Sequence, residues 1–142
     1  MRLQRNILLP ACITVAFAVS ALAADVTGKW NAVFDDDQLG RHKYTFEFKV
    51  EGEKLTGKAY LTLGWIRLDQ QKGEVDLLEG KMNGTEISFV EKRSYVPPSL
   101  NHIEYTGKIN GDEISFTRKV FGSAREQTLV STAHFVAKRV KE

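Results

Sequence analysis

Beyond residue 24 the chain places an apolar residue at every second position almost throughout. Tyr44, Phe46, Phe48 and Val50 fall on one face of such a stretch, and Lys43, Thr45, Glu47 and Lys49 fall on the other. Side chains alternate between the two faces of a strand, so this pattern makes strands with one buried and one solvated face. No segment sustains the 3.6-residue period of a helix. The alternation predicts eight strands near residues 27–35, 42–50, 55–64, 73–82, 85–94, 102–109, 114–121 and 127–139.

The turns constrain how those strands connect. Gly80–Phe89 (GKMNGTEISF) and Gly107–Phe116 (GKINGDEISF) agree at eight of ten positions. Each copy sets Asn-Gly between two alternating runs, and Val50–Leu55 (VEGEKL) is a weaker third copy. Asn and Gly both tolerate positive φ, so Asn83-Gly84 and Asn110-Gly111 predict two-residue type I′ hairpins. Three tight hairpins at one end leave the longer connections 35–41, 64–72, 94–101 and 121–126 at the other. The expected fold is therefore all-β: an eight-stranded antiparallel up-and-down barrel, in which closure removes exposed edges. A β-sandwich is the alternative, and neighbour-to-neighbour hairpins favour the barrel.

Residues 1–23 read as a signal peptide, leaving 24–142 as a single barrel domain. Arg2 and Arg5 form a basic start, Ile7 to Val19 is apolar, and Ala21-Leu22-Ala23 offers a cleavage site. The apolar run is short for a transmembrane segment, so the expected location is secreted or periplasmic. The only cysteine, Cys12, lies in this leader, which leaves the domain without a disulfide, thiol nucleophile or cysteine ligand. Arg2 and Arg5 also account for the excess of 20 basic over 18 acidic residues. The domain is thus neutral, which argues against a nucleic-acid partner.

The alternation also assigns inward residues. Ile87 and Phe89 carry Glu91 and Arg93 inward, Ile114 and Phe116 carry Arg118 inward, and Ile103, Tyr105, Gly107 and Ile109 line the strand between. Gly107 leaves space between its neighbours. Glu91, Tyr105 and Arg118 form a candidate polar cluster, with Phe34, Tyr44, Phe46, Leu61 and Leu63 as an apolar wall. Burying charge is costly unless it is paired. Either a ligand uses these charges, or the strand ends there reach solvent. Trp65 and Tyr95, in long connections, are candidate covers for the mouth, with Phe121 nearby.

Catalytic and metal signals are weak. His42, His102 and His134 show no metal-ligand spacing. Asp35-Asp36-Asp37 reads as a polar loop. Ser131 and His134, three apart in a strand, lie on opposite faces. Glu91 and Glu104 sit on adjacent strands, but the alternation turns Glu104 outward, which weighs against a glycosidase pair. No catalytic residue, metal or cofactor is assigned.

Thr27-Gly28-Lys29-Trp30 resembles the Gly-x-Trp opening of the calycin superfamily, the lipocalins and avidins. The resemblance implies that Trp30 plugs the closed end of the barrel and that Arg139, in the last strand, packs over it. It also implies a ligand in the lumen. Biotin is not implied, because Trp65 is the only other tryptophan and the polar set of avidins has no counterpart. Lipocalin-type disulfides and a C-terminal helix are missing too. The chain is also similar to small secreted bacterial barrels, some linked to polysaccharide breakdown. The leading expectation is a non-catalytic barrel binding a small apolar or amphipathic molecule through Tyr44, Phe46, Leu61, Trp65, Glu91, Arg93, Tyr105 and Arg118. The alternatives are an accessory module that binds carbohydrate or protein at its rim, or a secreted protein associated with glycoside hydrolysis.

Overall fold

A computed structural model describes residues 25–37, 40–63, 73–92, 102–122 and 128–141. The alternation resolves into nine strands, with no helix among these residues. They are β1 (Gly28–Asp36), β2 (Gly40–Glu51), β3 (Lys54–Leu63), β4 (Glu74–Asp76), β5 (Leu78–Asn83), β6 (Glu86–Lys92), β7 (His102–Asn110), β8 (Glu113–Phe121) and β9 (Leu129–Arg139). Apart from β4 and β5, strands adjacent in the chain pair antiparallel. β2 joins β3, and β1 joins β9 through Trp30↔Arg139 and Asn31↔Lys138. β4 and β5 share one stave beside β3, so the sheet closes as an eight-staved up-and-down barrel.

The split of the predicted 73–82 strand has a local cause. Leu77 and Met82 are both buried, yet they lie five positions apart, and a regular strand needs an even separation. A register shift between Leu78 and Lys81 absorbs the extra residue, with Glu79 at φ 53°. This is a β-bulge, tied to β3 by a bond from Leu77 N to Gly57 O (3.0 Å) and to the β2–β3 turn by one from Met82 N to Glu53 O (2.8 Å).

The three hairpins sit at one end as expected, but their turns differ from the type I′ expectation. Asn83 pairs with Glu86 and Asn110 with Glu113, so each asparagine ends its strand and the loops are Gly84-Thr85 and Gly111-Asp112. Gly84 (φ 61°) and Gly111 (φ 62°) occupy the first loop position, and neither following residue has positive φ. That is the φ pattern of type II′, which calls for glycine first. Gly52 (φ 62°) before Glu53 repeats it. A Cβ added at Gly111 meets nothing within 4 Å, so only the backbone resists substitution. Gly111→Val is expected to cost about 1–2 kcal/mol in urea unfolding, from the left-handed backbone alone.

Inside the barrel, aromatic rings fill the half nearer the hairpins. Phe46 lies 5.7 Å from Phe89, 5.8 Å from Tyr105 and 5.5 Å from Phe116. Nearer the other end, at the level of His42, Phe34 stacks on Phe135 at 4.1 Å. The space expected beside Gly107 is occupied. A Cβ there would meet the Phe116 ring at 2.7 Å and Ile114 Cγ2 at 2.8 Å, so glycine lets β7 approach its neighbours' side chains. The outer wall is charged, with Lys29–Glu47, Lys49–Glu51 and Lys58–Glu74 pairs. No helix among the described residues is long and apolar enough to cross a membrane.

At the hairpin end Trp30 is fully buried, and its Nε1 donates to Val26 O at 2.9 Å. Arg139 Cζ stands 4.3 Å from the Trp30 ring centroid. The same guanidinium donates to Asp25 O, Thr27 O and Asp112 Oδ1, joining the start of the barrel to the β7–β8 turn.

Candidate functional site

Toward the end with the long connections, the inner wall changes character. The parity set by Phe34, Tyr44, Phe89 and Phe116 brings Asp36, His42, Glu91 and Arg118 inward, and these are the buried charged and polar side chains among the described residues. Glu91, His42 and Arg118 are 0% exposed and Asp36 is 5%. That rules out the simpler explanation for Glu91 and Arg118, that their strand ends reach solvent. Asp36, expected in a polar loop, is instead the last residue of β1, paired with Gly40 of β2. Two more residues of β1 in register after Phe34 put it inside.

The cluster is held by hydrogen bonds between four strands and the ends of two others. Tyr44 OH donates to Glu91 Oε1 at 3.0 Å, and Tyr105 OH donates to Glu91 Oε2 at 3.1 Å. Tyr105 in turn accepts from Arg118 Nε at 3.1 Å. Arg118 Nη1 reaches Asp36 Oδ2 at 3.2 Å, and Ser131 Oγ donates to the same oxygen at 3.0 Å. The Arg118 guanidinium lies 5.6 Å from the Phe34 ring centroid and 5.9 Å from that of Tyr44. Such a charge is tolerated inside because its carboxylates and rings replace water.

Ionisation follows from this environment. Burial, with the nearby Glu91 carboxylate, pushes the Tyr105 phenol well above its usual range, so it stays a donor. Burial chiefly, and then the Arg118 cation, lowers the His42 pKa below 6.5. His42 Nδ1 lies 2.8 Å from Gly40 O. A carbonyl only accepts, so Nδ1 carries the proton, and Nε2 of the neutral ring presents a lone pair.

Two buried side-chain polar atoms among the described residues have no hydrogen-bond partner: His42 Nε2 and Arg118 Nη2. Both belong to this cluster. His42 stacks on Phe34 at 5.0 Å and lies 6.3 Å from Tyr44, the two rings that also flank Arg118. An orphaned donor and an orphaned acceptor in one cluster, each buried, cost the desolvation of both groups.

The remaining sequence-assigned residues are scattered over the barrel or lie outside the described residues. Phe46 is in the packed aromatic half, and Leu61, paired with Tyr44, lies level with the cluster. Trp65, Arg93 and Tyr95 lie outside the described residues, as do residues 1–23, and of Leu63 only the backbone is described. Phe121 is half-buried against His102, with ring centroids 5.8 Å apart. Glu104 is exposed and pairs with His102 rather than with Glu91. Ser131 faces Asp36, whereas His134 faces out to Thr117. Sequence reasoning missed Asp36, His42 and Ser131 as members of the cluster. The first two were within reach of the same parity that placed Glu91 and Arg118.

The titration of His42 has a thermodynamic consequence. Its folded-state pKa is below the unfolded value near 6.5, so the unfolded chain takes up the proton first as pH falls. The stability linked to the neutral ring is complete above about pH 6.5 and is lost as pH drops from there toward the folded-state pKa. Thermal unfolding between about pH 8 and 5 should therefore show a falling midpoint that is shallower in His42→Phe. Equal slopes would remove His42 as the cause.

No protein-family model, curated protein or solved structure matches the chain. Fold and site together define an eight-staved antiparallel barrel with a buried ionic cluster on its inner wall, an architecture compatible with a calycin-like barrel.

Proposed function

We propose that this is a non-catalytic, calycin-like binding barrel that takes one small amphipathic molecule at the end with the long connections. The ligand's polar group sits down on the Arg118–His42 side of the cluster, and its apolar part points toward the mouth. The observation that supports this is the pair of orphaned buried atoms, His42 Nε2 and Arg118 Nη2, above a half-barrel already filled by rings. Buried side-chain polar atoms are nearly always hydrogen-bonded, so these two call for a partner that the protein's own atoms do not supply. Aromatic filling below confines the ligand to the upper barrel, near Leu61, Tyr44 and Tyr105. In this reading residues 1–23 direct export.

The test is binding of the neutral, environment-sensitive dye N-phenyl-1-naphthylamine. The expected result is saturable fluorescence enhancement with one dye per chain, lost in Leu61→Trp, which fills the upper barrel. Ala59, paired with Phe46 in the packed half, is too deep to serve as the blocking position. No binding by the wild-type chain, or equal binding by Leu61→Trp, would overturn the reading and favour a rim-binding carbohydrate or protein module.

A further inference from the structure

The two orphaned atoms differ in kind, and that difference selects a ligand chemistry. Arg118 has committed Nε to Tyr105 and Nη1 to Asp36, so Nη2 offers only N–H donors. His42 has committed Nδ1–H to Gly40 O, so Nε2 offers only a lone pair. We infer that the ligand's polar head is an uncharged hydroxyl, whose oxygen accepts from Arg118 Nη2 and whose hydrogen is donated to His42 Nε2. This rests on the binding role proposed above and names the chemical class that the site takes.

Charged heads fit less well. A carboxylate, or a phosphate in its fully ionised form, has no hydrogen for His42 Nε2, and it would enter beside Asp36 and Glu91, both already bound to the cluster around Arg118. An ammonium group has no lone pair for Arg118 and brings a second cation against it. A hydroxyl is both donor and acceptor and adds no charge, so it satisfies both orphans without disturbing the ion pair. Sites that hydrogen-bond a hydroxyl discriminate strongly against analogues lacking one, because their own buried groups are then left unpaired.

The experiment is calorimetric titration of the folded chain at about pH 8, where carboxylic acids are ionised and His42 is neutral. The probes are 1-octanol, octanoate, octylammonium and 1-methoxyoctane, which accepts but cannot donate. Octanol is expected to bind at least about tenfold more tightly than each of the others. His42→Phe, which keeps a ring against Phe34, should remove that advantage, so that octanol and 1-methoxyoctane bind alike. The wild-type comparison of octanol with its methyl ether needs no variant and holds even if His42→Phe folds poorly. If octanoate or the ether matches octanol while the naphthylamine dye still binds, the hydroxyl assignment is overturned and the binding role stands. If neither the octyl probes nor the dye bind, both fail.

Discussion

Replacing Arg118 with methionine is expected to cost about 3–5 kcal/mol, the range seen when one partner of a buried ion pair is removed. Methionine keeps much of the length and packing, so the loss isolates the charge. Without the guanidinium, Asp36 loses its Nη1 donor and Tyr105 loses the donor to its oxygen. Two carboxylates are then left on the inner wall without the cation between them. Urea unfolding followed by tryptophan fluorescence measures the cost. Adding Glu91→Gln to Arg118→Met should recover part of it, since the amide oxygen can still accept from a phenol and a buried charge is gone. A cost below about 1 kcal/mol would mean that Arg118 is not holding the carboxylates in the folded protein.

A loss of similar size is expected at the other end of the barrel. Trp30→Ala removes the largest fully buried side chain, leaving a cavity beneath Arg139 and an unpaired Val26 carbonyl. Truncating a buried aromatic typically costs about 3–5 kcal/mol. Arg139→Ala should cost less, because its contact with the ring is partly exposed, and cation–π contacts at such positions contribute about 0.5–1 kcal/mol. A Trp30→Ala midpoint close to wild type would show that the hairpin end does not depend on this ring. The two variants report on opposite ends of the molecule with no shared contact, so their costs should add.

Much of the barrel was legible in the sequence because side-chain parity in a strand is rigid. Once Tyr44, Phe46 and Phe48 fix one face, every residue of β2 is assigned, and tight hairpins pass that assignment to the next strand. The same parity brought Glu91, Tyr105 and Arg118 together. It failed where the period itself broke. Nothing local marks the bulge at Leu78–Lys81, since Glu79 adopts positive φ to satisfy packing of both Leu77 and Met82 against distant strands. The turn type was missed by one position, because Asn-Gly suits a type I′ loop intrinsically, whereas cross-strand register placed the asparagines within their strands. Asp36 and His42 were passed over for a different reason. Composition draws an Asp-Asp-Asp run toward a loop, while the interior of this barrel supplies the arginine that makes one of those carboxylates worth burying.

Whether the upper barrel carries a ligand is tested most directly by native mass spectrometry of the protein purified from its own cells. The expected spectrum shows the folded chain with one small molecule, released on denaturation and bearing a hydroxyl by fragmentation. The same mass before and after denaturation, in a preparation that also fails to bind the naphthylamine dye, would contradict a binding role for the Arg118–His42 cluster.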